Sequence, residues 1–252
     1  MAKTIVITGA GDGLGRALAR RFTKDGETVI LLGRTLSKIQ AVADELGAPA
    51  LAIQCDVADG DSVRNAFAEI AKTHPKIDVL INNAGIYWPF TLAEASDQLV
   101  QDLVSINISG TIFCAREALP LFEGDGHIIN VTSESSVLKT PMMWLYASTK
   151  HAVELIGEMW ARELGPDGVR VTTVRAGQMF DETKTGAPWP QEVSMRFGAA
   201  AAAAGINLRE KGISHYNSVT DAFRAILDMP RDTHLNLVAI NGRKPSSPQA
   251  KV

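Results

Sequence analysis

Seven short runs of β-branched and aliphatic residues recur along the 252-residue chain, with stretches of helical spacing between them. The runs are TIVIT from Thr4, TVILL from Thr28, ALAIQ from Ala50, IDVLIN from Ile77, HIINVT from His127, VRVTTV from Val169 and LNLVAI from Leu235. They are nearly unbroken apolar strings rather than apolar–polar alternations, the pattern of strands covered on both faces. The helical segments are Leu14–Lys24, Ser37–Leu46, Ser62–Lys72, Ser96–Leu119, Tyr146–Leu164 and Ser218–Leu227. The alternation predicts an α/β fold: a doubly wound parallel sheet of about seven strands with helices on both faces. No internal repeat or linker divides the pattern, so residues 1–242 are expected to form a single domain.

Two segments depart from the alternation. Residues 178–212 hold APWPQEVSM and then an alanine run, and read as an insertion, either a mobile loop or a short surface helix with a loop. Residues 243–252 are polar and rich in proline and serine, and are expected to form a flexible tail.

Composition narrows the partners. A net charge of −3 gives no reason to expect nucleic acid or an anionic membrane. No stretch approaches the roughly 20 apolar residues that span a bilayer. Cys55 and Cys114 have neither CxxC spacing nor a histidine cluster beside them, so neither a disulfide framework nor a metal site is expected. With no signal-peptide pattern at the start, a reducing cytoplasmic setting is expected.

The first strand runs into the first helix through TGAGDGLG, with Gly9, Gly11, Gly13 and Gly15. Glycines at such a junction let backbone N–H groups and a helix N-terminus approach a pyrophosphate with no Cβ in the way. The strand–turn–helix context is what gives the string meaning. At the end of the second strand, where users of NAD carry an acid for the ribose 2′-hydroxyl, stand Gly33 and then Arg34. A guanidinium there grips a 2′-phosphate, so NADP(H) is favoured. Asp12 within the glycine-rich turn opposes that attraction, and NAD(H) stays open.

A second constellation begins the segment YASTKHAVEL. Tyr146 and Lys150 are four residues apart and share a helix face. A free phenol, with a pKa near 10, is a poor base at neutral pH. A unit positive charge about 4 Å away, at an effective dielectric near 20, contributes about 4 kcal/mol. That is about three pK units toward the anion, enough to suit proton exchange with a carbonyl or alcohol oxygen. A hydroxyl donor for the same oxygen is expected from VTSESS, with Ser133 preferred because it follows the apolar strand directly and Ser135 and Ser136 as alternatives.

Together these markers, in order with CDV at Cys55–Val57, NNAG at Asn82–Gly85 and SINISG around Asn107, resemble the short-chain dehydrogenase/reductase family. The resemblance runs from Met1 to about Gly177 and returns in the last helix and strand. It implies that Gly9, Gly13, Leu14 and Gly15 hold the cofactor phosphates, Asp56 and Val57 touch the adenine, and Asn83, Ala84 and Gly85 flank the adenosine ribose. It implies further that Ser133, thirteen residues before Tyr146, stabilises the reacting oxygen. Lys150 would tune Tyr146 and bind the nicotinamide ribose, and Asn107 would hold a water in a proton relay. A homodimer or homotetramer packed through the helices bearing Asn107 and Tyr146 is implied as well. The usual proline after the sixth strand is Ala176 here; Gly177 keeps the close backbone approach, and Thr183 is a weak contact for the nicotinamide carboxamide.

The implied reaction is hydride transfer between nicotinamide and a secondary alcohol or ketone. Trp88, Met142, Met143, Trp144, Phe180 and Trp189 would line an apolar, partly aromatic substrate pocket, or else pack a lid or a subunit contact. Met159 and Trp160 are expected in the core or an interface. The rival functions are a non-catalytic dinucleotide-binding regulator, which needs no complete Ser/Tyr/Lys set, and an epimerase or dehydratase, whose relatives carry a larger C-terminal domain.

Overall fold

The computed structural model of the protein describes residues 2–181 and 189–243. In chain order the elements are β1 (Thr4–Thr8), α1 (Gly13–Lys24), β2 (Thr28–Gly33), α2 (Leu36–Leu46), β3 (Leu51–Gln54), α3 (Gly60–Thr73), β4 (Val79–Asn82), α4 (Asp97–Val104) and α5 (Gly110–Ala118). There follow β5 (His127–Ser133), α6 (Ser135–Leu138), α7 (Trp144–Leu164), β6 (Arg170–Ala176), β7 (Met179–Phe180), α8 (Gln191–Ala203), β8 (Ser214–His215), α9 (Tyr216–Asp228) and β9 (Leu237–Ile240). All seven expected strands join one sheet of order β3-β2-β1-β4-β5-β6-β9, and every pairing in it is parallel. The order reverses between β1 and β4, which opens a crevice at the carboxyl ends of those strands.

Alternate residues of the central strands feed two cores. Ile5, Ile7, Leu31 and Ile81 pack with Phe22 of α1 and Phe223 of α9 on one face. Val6, Ile30 and Leu80 pack with Phe67 and Ile70 of α3 and Cys114 of α5 on the other, where Cys55 is also buried. This double coverage is why the strands read as unbroken apolar runs.

Three differences from expectation bear on the site. The single helix expected over Ser96–Leu119 is split into α4 and α5 by a π-helical turn at Ser105–Ser109. Helix α7 starts at Trp144, so Tyr146 lies inside its first turn. The region 178–212 carries the short strand β7, paired with β8, and α8, whose Ala201 is buried. The expected tail beyond 243 and the candidate Thr183 lie outside the described residues. Among the described residues no helix is long and apolar enough to cross a membrane.

His127, at the start of β5, is 3% exposed, and its Nε2 lies 2.9 Å from Thr172 Oγ1 on β6. Burial, with the nearby charges of Arg170, His234 and Lys3, pushes its pKa from the usual 6.5 down to about 3. Between those values the unfolded chain takes up a proton that the folded chain refuses. Stability therefore falls as the pH drops below about 6.5, by up to about 1.4 kcal/mol per pH unit, until about 3. Urea unfolding followed across this window should show a shallower acid slope for His127→Asn than for the parent chain; identical slopes would discount His127 as the source.

Candidate active site

The turn between β1 and α1 is built for close backbone approach. Gly9 and Gly13 adopt φ of 65° and 51°, a region that favours glycine. A Cβ at Gly9 would stand 2.9 Å from Ala84 Cα, and one at Gly15 would overlap the Gly9 carbonyl. Asp12 caps α1, its carboxylate accepting from the Gly13 N–H at 2.7 Å. Leu14 is buried in the core beneath the turn.

Asn83 and Ala84 bind this turn to the end of β4. Thr8 Oγ1 accepts both their N–H groups at 3.0 Å, and Asn83 Nδ2 donates to the carbonyls of Thr8 (3.0 Å) and Gly9 (3.3 Å). Asp56 donates its N–H to Ser62 Oγ and accepts from the Ala58 N–H, which shapes the turn after β3; Val57 is buried. Arg34 stands exposed just beyond β2. Lys38, early in α2, is a cation set against the glycine-rich turn, its Cβ 3.1 Å from where a Cβ of Gly11 would be.

At the other end of the crevice, Lys150 is 6% exposed and its Nζ donates to the Val131 carbonyl at 2.9 Å. It also stands 6.0 Å from the centre of the Tyr146 ring, and a Cβ on Gly85 would lie 3.1 Å from it. Asn107, in the π turn, is fully buried: its Oδ1 accepts from the Ile86 N–H (2.9 Å), while its Nδ2 donates to the Ile86 carbonyl (3.0 Å) and Thr149 Oγ1 (3.0 Å). Ser133 ends β5, close enough to hydrogen-bond the Tyr146 phenol. Ser136 instead turns its hydroxyl to the Ser133 carbonyl (2.8 Å) and Glu154 Oε1 (2.7 Å), and Ser135 donates its N–H to Ser133 Oγ (3.2 Å). Gly177 donates its N–H to the Ile240 carbonyl at 2.8 Å, so the backbone after Ala176 is tied to β9 without proline. The four residues expected at the chemical step thus converge from β5, the π turn and α7.

The expected acidic phenol is not found in the chain by itself. Burial pushes the Tyr146 pKa up to about 12, against the opposing effect of the Ser133 hydrogen bond. Burial likewise pushes Lys150 down to about 8. The lysine therefore loses its charge before the phenol ionises, and cannot supply the attraction that helical spacing suggested.

The substrate side differs in detail from expectation. Trp189 packs edge-on against Tyr87 and Phe197, with centroids 5.4 Å apart in each pair, and Tyr87 lies 5.7 Å from the Tyr146 ring. Trp88 is half-buried. Met142 and Met143 are buried, and the Met142 carbonyl accepts from the Phe90 N–H. Trp144 packs on Phe90, and Phe180 on His215. Only Trp189 of the six is joined to Tyr146 by this aromatic chain. Sequence reading missed Tyr87 and Phe197; the usable signal for Tyr87 was its place two residues past Gly85, which abuts Lys150.

The match to known proteins agrees with this layout. Residues 3–192 fit the family model for short chain dehydrogenase. The meso-2,3-butanediol dehydrogenase of Serratia marcescens is 34% identical over 197 residues, 77% of this chain and 78% of that protein. An alcohol dehydrogenase from Thermococcus sibiricus, complexed with 5-hydroxy-NADP, superposes with a TM-score of 0.81 at 25% identity, covering 98% of this chain and 100% of that one. A 3-ketoacyl-(acyl-carrier-protein) reductase from Brucella melitensis, complexed with NADH, gives a TM-score of 0.79 at 26% identity over 95% of this chain and 97% of that one. On sequence, fold and site layout, the chain belongs to the short-chain dehydrogenase family of NAD(P)-dependent oxidoreductases.

Proposed function

We propose that the chain interconverts a secondary alcohol and a ketone at the oxygen facing Tyr146 and Ser133, with NADP(H) preferred over NAD(H). The observation that carries the reading is the convergence of Tyr146, Ser133, Lys150 and Asn107 beside the crevice entered by the glycine-rich turn. The turn fits a dinucleotide: two glycines of positive φ and the N-terminus of the twelve-residue α1 leave room and N–H donors for a pyrophosphate. Gly9, Gly13, Leu14 and Gly15 would hold the phosphates, Asp56 and Val57 the adenine, Asn83–Gly85 the adenosine ribose, Lys150 and Tyr146 the nicotinamide ribose, and Gly177 the nicotinamide side. When bound, the cofactor supplies or accepts the hydride.

Tyr146 moves the proton. Neutral near pH 7, it is in the form that donates to a carbonyl oxygen, while Ser133 donates a hydrogen bond to the same oxygen and polarises it. Alcohol oxidation needs the anion, so the raised pKa of the partly buried phenol sets a requirement for higher pH. Asn107, whose side chain is fully engaged, holds the loop at Ile86 and Thr149 of α7 in place beside Lys150. Arg34 beyond β2 and Lys38 against the turn at Gly11 would offer two cations to a 2′-phosphate, and the Asp12 carboxylate is turned to the Gly13 N–H. Tyr87, Trp189 and Phe197 give the pocket an aromatic wall suited to an apolar substrate. The relative named for meso-2,3-butanediol supports a secondary alcohol. Leu155 and Met159 of α7, 55% and 60% exposed, and Val104 and Ile112 around the π turn suit a homodimer or homotetramer built on these helices.

Tyr146→Phe should leave NADPH affinity, read by fluorescence, within a few-fold while turnover falls by about 10²–10⁴; near-full activity would refute the role. Arg34→Ala should raise KM for NADPH at least about tenfold more than KM for NADH, the loss of one charge-assisted contact, and equal effects would remove the NADP preference. The kcat/KM for alcohol oxidation should climb about tenfold per unit between about pH 6 and 8, as the fraction of phenolate rises. A flat profile there would show that Tyr146 is not the base.

A further inference from the structure

Behind the chemical step lies a buried carboxylate that it does not use. Glu154 of α7 is 8% exposed and stands one turn beyond Lys150. Its Oε1 accepts from Thr132 Oγ1 (3.0 Å), Ser136 Oγ (2.7 Å) and Arg175 Nε (2.9 Å), and its Oε2 from Arg175 Nη2 (2.6 Å), with His151 Nδ1 3.7 Å away. A carboxylate is costly to dehydrate, and a helix can be seated on a sheet by apolar contacts alone. The donors indicate its purpose. Thr132 and Ser136 bracket Ser133, and Arg175 pairs in register with Thr132 across β5 and β6. The Ser136 hydroxyl has one proton lying between two acceptors, Glu154 Oε1 and the carbonyl of Ser133 itself.

We infer that Glu154, acting through Ser136 and Thr132, is a positioning residue that holds Ser133 at a set distance from Tyr146. This rests on the role proposed above for Ser133. Tyr146, Lys150 and Glu154 ride on one helix at successive intervals of four, so the contact couples the helix carrying the phenol directly to the strand end carrying the hydroxyl. Burial opposes ionisation of Glu154, but the hydrogen bonds from Arg175, Ser136 and Thr132 together hold its carboxyl below the usual range. Arg175, with side chains of His151 and Glu158, lines a cavity of about 630 Å³ that neither Tyr146 nor Ser133 lines. That leaves Ser136 and Thr132 as the branches leading toward Ser133. Reacting groups displaced by about 1 Å can lose about a hundredfold in rate, so a link of this kind is felt in turnover before it is felt in binding.

The test is a double-mutant cycle on the full chain, using whichever of acetoin, cyclohexanone and acetophenone is reduced fastest with NADPH. Ser136→Ala leaves the Glu154–Arg175 pair intact and is expected to lower kcat about tenfold. NADPH affinity by fluorescence should stay within about twofold, and the melting temperature nearly constant. In a Ser133→Ala background, Ser136→Ala should cost less than about twofold more, because its effect passes through Ser133. Glu154→Gln should show the same kinetic pattern, with a lower melting temperature because Arg175 loses its charged partner, and Glu154→Asp should partly restore kcat. Losses that multiply in the double variant, or a Ser136→Ala enzyme with full kcat, would overturn the positioning role while leaving Ser133 in place. A Ser133→Ala variant with unaltered turnover would overturn the parent assignment and this one with it.

Discussion

The site depends on how closely α7 lies against β5 and β6. Gly157 permits it: a Cβ there would stand 2.6 Å from Thr173 Oγ1, so any other residue would force either that side chain or the helix to give way. Once the helix is seated, Lys150 reaches the Val131 carbonyl and Glu154 reaches Thr132 and Arg175. These polar contacts are short-ranged and directional, and they make no sense at a larger helix–sheet separation. They convert general apolar packing into one register of helix on strand, and that register turns Tyr146 toward the end of β5.

The same logic explains an unfavourable residue inside another helix. Asparagine is a weak helix former, and Asn107 sits where α4 would continue into α5. The backbone there widens into a π turn, a feature often found at functional sites. Three hydrogen bonds from its side chain, to both backbone groups of Ile86 and to Thr149, offset the local cost. The π turn thereby joins the loop after β4 to α7, the element that carries Lys150.

Much of this was legible in the sequence. Strands buried on both faces announce themselves as apolar runs, and the TGAGDGLG turn could be read because a helix must start where its glycines end. What escaped reading depends on neighbours far apart in the chain. The π turn has no local signature, since SINIS looks like continuing helix. Glu154 and Arg175 look like an ordinary helix charge and a strand-end charge until the sheet brings them within 2.6 Å. Trp88 drew attention by its size, whereas the direction of the chain after Gly85 gives the place beside Tyr146 to its neighbour Tyr87. Spacing also said which residues share a helix face, but not how dry that face would be.

Dryness changes the meaning of the Tyr–Lys pair. In water a lysine beside a tyrosine stays charged and draws the phenol toward its anion. Here burial raises the phenol and weakens the ammonium together, so at neutral pH the phenol keeps its proton beside an ammonium that gives up its own more readily than a free lysine does. The lysine then acts first as a donor to Val131 and a support beneath the phenol. Its positive charge matters only to the extent that something else in the crevice stabilises the opposite charge. A proton is thus kept on the phenolic oxygen until a partner oxygen arrives to take it, and that retention follows from the same tight seating of α7 that excludes water from Lys150.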